Sequence, residues 1–151
     1  SWILGNFEGN FANNPAIALF IPLIGGTGGN VGIQSSAIVV QGLANGSLDL
    51  RKSLSQIVKE LGLALINASI ISLLVFAYNF FIFHPDFKIT IAVSASLFAV
   101  VLFAATFGTF VPLTLEKMKV DPAIATGPFI TITNDIIGMM IYMTVCMMLL
   151  Q

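Results

Sequence analysis

Four apolar stretches, each long enough to cross a lipid bilayer as a helix, limit what this chain can fold into. Crossing ~30 Å of hydrocarbon takes about 20 helical residues. Spans A (15–44), B (61–83), C (89–115) and D (122–150) all reach that length. Composition closes off the soluble alternative. Of the 151 residues, 57% are hydrophobic and 9% charged, against about 25% charged in an ordinary soluble domain. A soluble domain of this size cannot hide so much apolar surface. The expected fold is therefore all-α, a polytopic transmembrane helix bundle in contact with membrane lipid.

The breaks between spans are legible. Asn45-Gly46-Ser47 ends span A as a turn, followed by Asp49, Arg51 and Lys52. His84-Pro85-Asp86 separates B from C, and 116–121 separates C from D. Asp121-Pro122 reads as an N-cap and first-turn proline for D. Span A holds 30 residues, about 45 Å at 1.5 Å each, so it has to tilt, kink or project.

The basic residues set the orientation. Arg51, Lys52 and Lys59 lie between A and B, and Lys117 and Lys119 between C and D, which leaves Lys88 as the exception. Loops 45–60 and 116–121 are thus expected to be cytoplasmic, with residues 1–14 and the C-terminal Gln151 outside. The first residues carry no signal-peptide pattern. An external start then calls for a preceding span, whose end is read in Trp2-Ile3-Leu4, with Asn6, Phe7 and Glu8 in the exit turn.

Two constellations carry polar chemistry inside the apolar runs. The first is Gly25-Gly26-Thr27-Gly28-Gly29-Asn30-Val31-Gly32-Ile33-Gln34 in span A. Its glycines weaken a helix by roughly 1 kcal/mol each relative to alanine, so it serves either close helix packing or local unwinding. Asn30 and Gln34 lie i,i+4 on one helical face. The second is Asp135 in span D, 13 residues after Pro122 and so about 20 Å along a continuous helix. Its helical neighbours Thr131, Asn134, Gly138 and Tyr142 form a polar stripe. A carboxylate at that depth costs at least ~2.5 kcal/mol and usually marks an ion or proton path. Spans A to D hold no Lys, Arg or His to pair with it.

Other groups read as structural. Glu60, Glu116 and Asp121 border the cytoplasmic face and are taken as solvated boundary charges, with cation binding there as the alternative, and His84 is taken as a solvated loop residue. Cys146 is a packed or lipid-facing side chain. Five of the six methionines fall within 139–148, which suits adaptable packing. Neither a zinc-type His/Cys cluster, nor a phosphate-cradling loop, nor a nucleophile beside a base is visible, so no enzyme is expected. A net charge of −1 offers nothing to nucleic acid.

The candidate cation ligands are Asp135, Asn30, Thr131 and Asn134. Gly25, Gly28, Gly29, Gly32, Gln34 and Gly138 are candidate pore-lining or helix-packing positions. All the donors are oxygens, a set that favours hard cations such as Mg²⁺, Ca²⁺ or Na⁺. One Asp135 carries one negative charge, so a divalent ion in lipid calls for a second copy on a twofold axis.

At both constellations the chain resembles the membrane domain of the MgtE family of magnesium channels and transporters. The resemblance rests on the run from Pro22-Leu23-Ile24-Gly25-Gly26 through Asn30 to Gln34-Ser35, and on Pro112-Leu113. It rests equally on Asp121-Pro122-Ala123 through Gly127-Pro128-Phe129, and on Asp135-Ile136-Ile137-Gly138 with Ile141-Tyr142. It implies that residues 1–151 form a transmembrane pore domain with five spans per subunit. It further implies a homodimer with a pore between subunits, in which a carboxylate matching Asp135 holds hydrated Mg²⁺; the expected location is the cell (inner) membrane. A proton- or sodium-coupled divalent-cation carrier and a non-transporting membrane scaffold are the rival readings.

The topology is directly testable. A cysteine at Ser53 is expected to react with impermeant thiol reagents only from the cytoplasmic side, and one at Asn10 only from outside. The reverse labelling pattern would invert the orientation.

Overall fold

The computed structural model describes residues 15–48, 53–83, 85–125 and 127–150. Residues 1–14 lie outside the described residues, as do Asp49, Arg51, Lys52, His84 and Gln151. The preceding-span reading of Trp2-Ile3-Leu4 falls there. Among the described residues every regular element is helical: α1 (Ala16–Leu19), α2 (Ile21–Ala44), α3 (Ser53–Tyr78), α4 (Phe87–Lys117) and α5 (Pro128–Leu150). A π-helical turn, Asn79–Phe83, extends α3, and a 3₁₀ turn, Pro122–Ala125, precedes α5. Four helical stretches are long and apolar enough to cross a membrane: Ala16–Ala44, Ile57–Phe83, Phe87–Lys117 and Pro128–Leu150.

Local chemistry explains the ends. Pro22, with no N–H to satisfy, sits in the first turn of α2. At the other end Gly46 takes φ +68°, the left-handed conformation that closes helices. The Leu48 amide then donates to Gly42 O at 2.9 Å. The Asp86 carboxylate caps α4 by accepting from the Lys88 amide at 3.0 Å. Lys117 in its last turn complements the helix dipole.

Span D differs from a single helix. Asp121 accepts from the Ala123 amide at 2.9 Å, so it caps the short 3₁₀ turn rather than the long helix. Gly127, at φ +66°, then turns the chain before Pro128 opens α5. Asp135 is therefore seven residues into α5, about 10 Å along it. The glycine run, by contrast, stays helical throughout: α2 is unbroken from Ile21 to Ala44.

α4 is the centre of the bundle. α2, α3 and α5 each pack on it, and α2 also packs on α5. Its buried residues include Ala92, Val93, Leu97, Val100, Val101 and Ala104, joined by Ile17, Ile24, Tyr142 and Met143 from the flanking helices. Lipid supplies no hydrophobic drive between helices, so close approach of small residues has to supply the contact energy. Among the described glycines, Gly108 of α4 is the one whose added Cβ would run into the backbone of another helix, the Gly32 carbonyl of α2. Pro112 lies one turn beyond, within α4, and has no N–H to give the Gly108 carbonyl. Hydrogen bonds tether helices to one another: the Tyr142 hydroxyl donates to Ile17 O at 2.8 Å, and the Ser72 hydroxyl to Ser94 O at 2.7 Å. α3 is mostly exposed, with Leu63, Ile66, Ile70, Leu73 and Leu74 outward.

Gly108→Ala should destabilise the bundle by about 1–3 kcal/mol, because the obstacle is backbone and cannot swing aside. Gly62→Ala, where nothing lies within 4 Å, should be neutral or stabilising by up to about 1 kcal/mol. Thermal unfolding of the detergent-solubilised variants checks both. Equal melting temperatures for the pair would refute the crossing.

Candidate ion site

The site is built where α5 meets the glycine face of α2. A methyl placed on Gly29 would stand 3.2 Å from Asp135 Oδ1 and 3.4 Å from Thr131 Cγ2, and one on Gly25 would stand 3.8 Å from the same carboxylate oxygen. The bare backbone of α2 thus leaves room for a charged group that any larger side chain would crowd. Asp135 itself is exposed on the surface of the single chain. Among the described residues no hydrogen bond or ion pair involves its carboxylate. An ionised group in lipid calls for water, a cation or a polar partner.

The neighbours of Asp135 divide sharply. Thr131 is half-buried, and its hydroxyl donates to Gly127 O at 3.1 Å, leaving oxygen lone pairs free to accept. Asn134 is sealed at 1% exposure against Gly32, and neither of its amide atoms has a hydrogen-bond partner among the described residues. Gly138 packs on Val100, as Gly28 does from α2. Tyr142 is fully buried, with its hydroxyl tied to α1. The polar stripe read from the sequence therefore splits along the helix: Asp135 opens outward, while Gly138 and Tyr142 lock α5 to the bundle. Asn30 and Gln34 are exposed. Asn30 follows Gly29 by one residue, and so lies 100° further round α2.

Two features escaped the sequence reading. Gly108 is a lone glycine in an apolar run, and a lone glycine carries no signal of what crosses it. Glu60, read as a solvated boundary charge, is nine-tenths buried. Its i,i+7 relation to Asn67 on α3 was the available hint, since that spacing puts both on one helix face.

Among the described residues no group of three or more His, Cys, Asp or Glu gathers in one place. At this place the described residues offer a cation one carboxylate, framed by a hydroxyl and bare backbone. That combination defines the class: a multi-spanning α-helical membrane protein with a carboxylate exposed on one of its spanning helices.

Comparison with known proteins identifies the family. The MgtE family model, described as a divalent cation transporter, matches residues 21–145, and the chain belongs to that family. It is 34% identical over 151 residues, all of its length, to the magnesium transporter MgtE of Thermus thermophilus, covering 33% of that protein. It is 34% identical over 140 residues, 93% of the chain, to the Bacillus subtilis protein of the same name, covering 31% of it. The Enterococcus faecalis protein of that name is 28% identical over 99% of the chain, which covers 33% of it. The chain thus spans about a third of the length of these curated relatives.

Asn134→Leu tests the burial of that amide. Two buried polar atoms without partners cost about 1–3 kcal/mol each, so an apolar replacement of similar size should leave the melting temperature unchanged or raise it. A clear fall would mean that the amide has partners.

Proposed function

We propose that this chain is the pore-forming membrane domain of a magnesium channel, that it carries Mg²⁺ across the cell (inner) membrane, and that it works as a homodimer. The observation that carries this reading is the exposed Asp135 carboxylate beside the bare α2 backbone at Gly25 and Gly29. Membership in a divalent cation transporter family supports it, as do the names of the magnesium transporters it resembles.

The proposed mechanism follows from charge and hydration. Mg²⁺ binds in outer-sphere fashion, because it gives up water reluctantly and needs only one or two carboxylates to hold its hydrated form. Two Asp135 side chains facing across a twofold axis match its charge without burying a net charge. Thr131 supplies a further oxygen to the hydration shell. The α2 glycines keep the path wide enough for a hydrated ion. The membrane potential drives inward movement: at 100 mV it acts on charge +2 with about 4.6 kcal/mol, twice the ~2.3 kcal/mol per charge. Loops 45–60 and 116–121 lie on the cytoplasmic side, and the C-terminus lies outside.

Mg²⁺ flux into proteoliposomes tests the role of Asp135. Asp135→Asn keeps shape and removes charge, so flux should fall by more than about tenfold, the loss expected when a charge-assisted contact worth ~1.5–3 kcal/mol disappears. Wild-type flux from a well-folded variant would sink the assignment. Dependence of wild-type flux on a pH or sodium gradient would replace the channel with a coupled carrier.

A further inference from the structure

A second polar cleft opens on the other flank of α2, away from Asp135. Gln34 and Ser35 of α2 face Glu60 and Asn67 of α3 across it. Ala105 of α4 contributes to the lining, and the cavity measures about 120 Å³. Helical geometry separates this flank from the ion site. At 100° per residue, Gln34 and Ser35 point roughly 140° and 120° away from Gly29, which faces Asp135.

The donors converge from two helices. Glu60 and Asn67, seven residues apart, stand on one face of α3, and Gln34 with Ser35 faces them from α2. Glu60 and Ser35 are buried, at 9% and 7% exposure. Glu60 makes a contact of its own within the chain, but an ionised carboxylate offers about four lone-pair sites and can serve more than one partner. The side chains of Gln34, Ser35 and Asn67 make no hydrogen bond with any described residue. In a bundle this apolar, polar groups without partners are costly, and they normally line something wet or charged.

We infer that this cleft is a cation site and that its ligand is Na⁺, held by oxygens of Gln34, Ser35, Glu60 and Asn67. The donor set consists of hard oxygens, which excludes soft metals. Hydration and charge then choose among hard ions. Mg²⁺ sheds water reluctantly and keeps several waters, so it is not held directly by four protein oxygens. One carboxylate balances one positive charge, so a monovalent ion is held without burying net charge and a divalent one is not. Ca²⁺ takes six to eight oxygens and depends on ligand charge for affinity, whereas one carboxylate is present among the described lining residues. Na⁺ needs neither the retained water shell nor the extra charge. This inference is independent of the role proposed for Asp135.

Thermal unfolding of the purified full chain in detergent, free of divalent ions, tests it with Na⁺ as the probe. NaCl is titrated against choline chloride at constant ionic strength. The midpoint should rise saturably with Na⁺ only. Glu60→Gln and Asn67→Leu should each raise the half-saturating Na⁺ concentration by about tenfold or more, and Asp135→Asn should leave it unchanged. Gln34→Leu, at an exposed position, guards against misfolding of the other variants, and ²³Na relaxation on it should show the same loss. Coincident NaCl and choline curves would overturn the proposal. So would a Na⁺ shift that survives in Glu60→Gln and Gln34→Leu, or one abolished by Asp135→Asn alone. A MgCl₂ shift in the Asp135→Asn protein that Glu60→Gln removes would overturn the choice of ion.

Discussion

Helices in lipid gain nothing from hiding apolar surface from one another, so this bundle depends on how closely its backbones can approach. The contact of Gly32 with Gly108 sets that approach for α2 and α4, and Gly28 and Gly138 both bear on the Val100 side chain from two other helices. Once α2 is held at that distance, its glycine face reaches α5, and Gly25 and Gly29 come to lie beside Asp135. The same small residues that pack the bundle therefore leave the carboxylate uncrowded. Packing and site share one cause.

That arrangement also divides α5 by role. Ile130, Asn134, Gly138, Tyr142 and Cys146 are buried along one side, and Tyr142 adds a hydrogen bond to the start of the first span. Those contacts fix the rotation of the helix. Asp135 is one residue from Asn134, about 100° around the axis, and so is turned out of the bundle by the same packing that turns Asn134 in. The outcome for the two adjacent polar residues is opposite: one is sealed without partners, the other open.

Much of this was legible in the sequence. The four spans stand out because apolar length is a strong signal that survives loss of detail at the ends. Asp135 stands out because an ionisable group is costly at that depth and no basic residue lies within the spans. Boundaries were harder. α3 begins at Ser53, eight residues before the apolar run, because Lys59 and Glu60 are good helix formers that hydropathy alone discounts. Span D breaks at Gly127, where positive φ rather than hydropathy ends the 3₁₀ turn. The burial of Asn134 and of Glu60 was not legible, since it depends on which helix lies opposite, and a stripe on one helix does not name its neighbour.

The account's central claim is that two copies of the chain share one divalent ion between their Asp135 carboxylates. Binding stoichiometry tests that most directly, with Mn²⁺ as a paramagnetic stand-in for Mg²⁺ counted by electron paramagnetic resonance on the purified protein. The account predicts one ion per two chains in the fraction of binding that Asp135→Asn removes. One ion per chain in that fraction, or no difference between the two proteins, would contradict it.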